Sequence, residues 1–184
     1  MPAVAGRAVG LLLLLWVAFR VLGQGLTLAT GGPGAFLHGV NLVFHEAGHL
    51  IFGFFGRFVA VLGGSLNQVL IPAVCVVAFL RTRQRASAAV ALFWTGQSLT
   101  DVAVYAADGR AMALPLLADG LLHDWNYLLG VTGLLHRAET LGRLMFGAGA
   151  LLMLGALAFL ALDLLRAWGE ARGARRLTAT DPRV

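Results

Sequence analysis

Two long stretches of apolar residues, 9–30 and 144–165, decide most of what this chain can become. Each is long enough to cross the hydrocarbon core of a bilayer, which takes roughly 20 residues as a helix. Inside lipid, backbone N–H and C=O groups have no water to bond, so a spanning segment must be a helix or a strand of a closed barrel. Segments of this length and leucine content read as helices. Residues 36–62, 66–80 and 87–107 are also apolar. The expectation is therefore an all-α, polytopic transmembrane helix bundle of about five spans. The short stretch 66–80 is either a span or a re-entrant segment lining a cavity. Gly31-Gly32-Pro33-Gly34 predicts a tight turn between the first two helices, and Gly63-Gly64-Ser65 predicts a break after the second. Arg20, within the first apolar segment, is expected to face the bundle interior or a carboxylate.

Composition agrees. The chain is 59% hydrophobic and 12% charged, against about 25% charged in soluble domains. Its net charge of +5 would suggest nucleic acid in a soluble protein. Here the arginines lie between apolar segments and in the tail, so they read as topology signals and lipid contacts, with no nucleic-acid partner. Arg81, Arg83 and Arg85 form the strongest cytosolic-side signal. With five spans, that loop and the C-terminus share the cytosolic side, which suits an integral protein of a bacterial inner (plasma) membrane. Residues 1–168 read as one transmembrane domain and 169–184 as a basic, disordered cytosolic tail. The single Cys75 excludes an intrachain disulfide.

Within the second helix stands His45-Glu46-Ala47-Gly48-His49. Residues four apart share a helix face, so His45 and His49 can direct two imidazoles at one metal ion, with Glu46 beside them to move protons. His38 falls about 20° from each of the two histidines on the same face. Charged and polar groups are costly at membrane depth, and a glutamate between two imidazoles is hard to explain as packing. Zn2+ is the expected ion, and a catalytic zinc takes three protein ligands and one open position. Four residues compete for the third place. Asp101 qualifies by depth, if its helix runs parallel to the histidine helix, and Asp108 lies at the helix end. His123 and Asp124 lie on a segment able to fold back. Metal-polarised water, with Glu46 as general base, would attack a carbonyl, and Glu46 would return the proton to the leaving amine. Tyr105, Asn67 and His38 are candidate oxyanion donors, and Asn67 and Gln68 are candidate substrate contacts.

The His45-Glu46-Ala47-Gly48-His49 motif in an apolar helix, followed by Ala107-Asp108-Gly109-Arg110, resembles the site-2 protease family. These intramembrane zinc metalloproteases carry H-E-x-x-H on one transmembrane helix and an Asp in an L-D-G motif on another. Ala107 stands here where that motif has Leu. The resemblance covers roughly residues 36–117. It implies cleavage of a membrane-embedded peptide or protein substrate, with Glu46 as base and Asp108 as third ligand. The candidate site is accordingly Glu46 with the metal-ligand set His45, His49, Asp108 and His123.

Other functions compete with this one. A membrane zinc hydrolase could act on lipid amides or esters. A non-catalytic metal- or haem-binding subunit is another reading, but haem ligation wants a partner histidine on another span, and His123 and His136 lie outside the clear spans. A structural protein with fortuitous histidines would bind no metal.

Overall fold

The computed structural model describes residues 2–118 and 120–180, with side chains through Arg175. It is all-helical, with 84% helix and no strand among the described residues. Six helices follow in order: α1 (Pro2–Gln24), α2 (Gly32–Phe52), α3 (Arg57–Arg81), α4 (Arg85–Asp108), α5 (Asp124–Val131) and α6 (Ala138–Thr180). Three of them, α1, α3 and the portion Leu135–Arg175 that includes most of α6, are long and apolar enough to cross a membrane. The helices α2 and α4 fall outside that group because they carry the polar residues of the bundle, among them His38, Asn41, Gln97 and Asp101.

The surface is built for lipid. Phe19, Phe36, Val43, Leu50 and Leu151 all project outward with more than half of their area exposed. A water-soluble protein would bury such residues, whereas in hydrocarbon they lose nothing by facing out. The interior combines buried polar residues, among them Asn41, Gln97 and Ser98, with an apolar core. Ala18 and Val21 of α1 meet Phe93 of α4 and Met153, Ala156 and Leu157 of α6 in the apolar core. Close approach of α4 and α6 depends on Gly96 and Gly149, each of which would place a Cβ 2.6 Å from the other's carbonyl oxygen.

Several expectations change at this level. Gly63-Gly64-Ser65 does not break a helix; it lies inside α3, which runs without interruption from Arg57 to Arg81. The stretch 66–80 is thus the body of a long helix and not a re-entrant segment. Membrane helices tolerate such residues because the backbone stays bonded to itself while the missing side chains admit a neighbour. That neighbour is α2, which ends at Phe52 rather than continuing to residue 62. A 3-10 turn, Gly53–Phe55, then leads to Gly56, whose φ of +91° lets the chain reverse into α3. Arg20 is exposed and not turned inward; the ion pair linking α1 to α6 is made instead by Arg7 and Asp163, 2.6 Å apart. Finally, α6 continues as helix to Thr180, across most of the segment read as a disordered tail, and residues 181–184 lie outside the described chain.

Candidate metal centre

The helical period brings His45 and His49 to one face of α2, their ring centroids 4.7 Å apart. Gly64 of α3 makes room for them, while Gly63 lets α3 approach Phe52 and the Gly48 carbonyl of α2. A Cβ on Gly64 would stand 2.7 Å from Nε2 of both rings, so only glycine fits beneath the pair. Each imidazole is anchored through Nδ1. His45 Nδ1–H donates to Gln68 Oε1 (3.2 Å), and His49 Nδ1–H donates to the Ala60 carbonyl (2.9 Å). Both anchors lie on α3, and both leave Nε2 facing the same point.

The third group comes from a short helix. Asp124 opens α5 and brings Oδ2 to 2.9 Å from His45 Nε2 and 3.2 Å from His49 Nε2. The three ligand atoms lie within 4.8 Å of one another. Around a tetrahedral ion with bonds of about 2.0–2.1 Å, ligand atoms stand about 3.3 Å apart, so these spacings suit one ion. The chemistry agrees with the geometry. With Nδ1–H donated away on both rings, each neutral imidazole presents only a lone pair, and the carboxylate also only accepts. With both rings neutral three acceptors converge, and either a metal ion or a proton held between an imidazole Nε2 and Asp124 compensates them. The His45–His49–Asp124 group can hold a metal ion.

Comparison of the chain with protein-family models, with curated proteins and with solved structures finds no match. The site is therefore read from its own atoms. Burial pushes the Asp124 carboxyl up, but hydrogen bonds from His45 and His49 outweigh that and hold it below the usual carboxylate range. Glu46 lines the same cavity, of about 540 Å³, and its carboxylate makes no hydrogen bond to any described residue. The opposite wall is apolar, with Leu116, Leu117, Leu121 and Leu122 from the segment between α4 and α5.

The remaining site residues of the sequence reading are arranged differently. Asp108 and His123 are brought to each other, 3.2 Å apart, and not into the group around Asp124. Asp108 also accepts from the backbone N–H of Ala113 and of Leu114, both at 3.0 Å. His123 Nδ1 accepts from the Asn126 N–H and caps α5, so both of its ring nitrogens are occupied. These two residues fix the segment that delivers Asp124. Trp125 Nε1 donates to Ser65 Oγ (3.1 Å) and Asn126 Nδ2 to the Gly109 carbonyl (2.8 Å), completing the clamp.

Asp101 does not stand beside His49 as parallel helices would require. His38 meets Asp101 (2.9 Å), Asn41 meets Gln97 (2.9 Å), and Phe44 meets Trp94 (5.6 Å between ring centroids). The pairs run up α2 as they run down α4, so the two helices are not parallel here. Asn67 is committed to the Phe44 carbonyl and Tyr105 to the Pro115 carbonyl. His38 gives its Nδ1–H to Asp101, which leaves Nε2 of the neutral ring as an acceptor. Among the described residues, none of the three candidate oxyanion donors therefore offers a free N–H or O–H in this arrangement except the second amide hydrogen of Asn67. His38 also lines the cavity.

Proposed function

We propose that this chain is an integral membrane zinc-dependent hydrolase, and most specifically an intramembrane peptidase distantly related to the site-2 proteases. The observation that carries the reading is the convergence of His45 Nε2, His49 Nε2 and Asp124 Oδ2 on one point, beside the unbonded carboxylate of Glu46 in one cavity. Such a set suits Zn2+, which takes two imidazoles and a carboxylate and keeps a fourth position open. When bound, the ion supplies a Lewis acid and brings the pKa of a water ligand toward neutrality. Glu46 is one position along α2 from His45, where it can accept the proton of that water and later return it to a leaving amine. The leucine wall is suited to receive apolar parts of the substrate.

In this reading α1, α3, α4 and α6 cross the bilayer, and α2 makes no separate crossing. The Arg7–Asp163 pair runs α1 antiparallel to α6, whereas five alternating spans would make them parallel. The outward apolar side chains Phe36, Val43 and Leu50 support a position of α2 within the hydrocarbon beside the crossing helices. The arginine-bearing turn between α3 and α4 and the end of α6 then lie on the cytosolic side of the inner membrane. The leucine wall also favours a second reading, in which the acyl chain of a lipid amide or ester fills the cavity.

The decisive experiment combines metal analysis of the purified protein with two labelled substrates in detergent. Zinc at about one per chain, with chelator-sensitive cleavage of a transmembrane peptide, is the expected result. Cleavage of the lipid alone selects the second reading, and absence of metal removes both.

A further inference from the structure

Gln68 and Asp101 are polar, buried or nearly so, and contribute no atom to the metal group itself. Their hydrogen bonds run in one direction. A carboxylate can only accept, and Asp101 accepts from His38 Nδ1 (2.9 Å), Asn41 Nδ2 (3.3 Å) and Gln68 Nε2 (2.8 Å). An indole N–H can only donate, and Trp94 donates to Asn41 Oδ1 (2.9 Å). These one-way groups leave the two amides no freedom to flip. Asn41 must turn its NH2 toward Asp101, and Gln68 must do the same. Gln68 Oε1 is thereby presented to His45 Nδ1 at 3.2 Å. An imidazole facing an acceptor at Nδ1 carries its proton there, which frees the Nε2 lone pair.

We infer that Asp101 and Gln68 are positioning residues for the metal centre, a relay from α4 through α3 that sets the tautomer and ring direction of His45 on α2. This inference rests on the metal-centre reading, and it turns Asp101 from a candidate ligand into a group acting two bonds away from one. Partners behind a ligating histidine typically change metal affinity about 10- to 100-fold when removed.

The test measures zinc affinity of the full-length protein in detergent by competition with a chromophoric chelator, beside thermal unfolding of the metal-free form. Gln68→Leu is expected to weaken zinc binding about 10- to 100-fold, and Gln68→Glu, which keeps an acceptor for Nδ1–H, to retain more affinity than the leucine variant. Asp101→Asn releases the Gln68 amide and should also weaken binding. Combining it with Gln68→Glu should restore binding, because the amide at 101 then donates to the carboxylate at 68, which still accepts from His45. A purely structural role would produce no such rescue. If the wild type binds about one zinc and Gln68→Leu binds it equally well, the relay is overturned while the metal centre stands. A wild type that binds none overturns both. Should the leucine variant not fold, wild-type affinity in Asp101→Asn, or no recovery in the double variant, overturns the relay.

Discussion

His45 Nε2 lies 2.9 Å from Asp124 Oδ2, although the two residues are 79 positions apart in the chain. The same carboxylate oxygen is 3.2 Å from His49 Nε2, so one atom of α5 serves both imidazoles of α2. Without metal, a proton on an imidazole Nε2 bridges to that oxygen, and a bound ion would take the place of the proton.

Asp124 and Asp108 should therefore behave differently. Asp124→Ala is expected to lower zinc content of the purified protein to background. Asp108→Ala should leave about one zinc per chain at saturation, but destabilise the fold by about 1–3 kcal/mol, because the Ala113 and Leu114 N–H groups lose their acceptor. Metal analysis beside thermal unfolding separates the two. Equal loss of metal in both variants would make Asp108 a ligand.

Gly64 supplies a steric test. A Cβ there would meet His45 Nε2 and His49 Nε2 at 2.7 Å. Gly64→Ala must displace the rings or part α2 from α3, at a cost of about 1–3 kcal/mol. Zinc affinity should fall with it. Gly39→Ala, with open space around it, is the control and should change neither quantity.

Glu46 lines the cavity without a hydrogen-bond partner among the described residues, so its substitution should leave the metal group intact. Glu46→Gln is expected to retain zinc and reduce turnover roughly 10²- to 10⁴-fold on whichever substrate is cleaved. Full activity in that variant would remove Glu46 as the base.

Proton competition gives a further expectation. The Asp124 carboxyl is held below its ordinary value, so it stays ionised above about pH 3.9. The sign for stability follows: its ionised form stabilises the metal-free fold above that pH, and this contribution is lost as pH falls through the depressed value. Zinc binding needs deprotonated ligands and should weaken steadily with acidification. Chelator competition at a series of pH values measures this, and affinity independent of pH would contradict imidazole ligation.

The pair His45 and His49, and Glu46 beside them, were legible in the amino-acid order because a helix repeats every 3.6 residues and makes neighbours of positions four apart. The helical character of the apolar segments was legible for a similar reason, since lipid leaves the backbone few alternatives. Asp124 stood among the candidates but could not be singled out. Its place depends on how α5 folds back, and that is set by contacts remote in sequence: Trp125 with Ser65, Asn126 with Gly109, and His123 with Asp108. Gly63 and Gly64 read locally as a break, yet they lie within α3 because what matters there is the space they leave, Gly63 for Phe52 and the backbone of α2 and Gly64 for two imidazoles. Asp101 was misjudged by depth because the angle between α2 and α4 is a property of packing, and it sets His38, not His49, against that carboxylate. Local periodicity thus determined which residues share a face of one helix. Only tertiary packing decided which faces meet, because their partners come from elements whose relative direction no local pattern encodes.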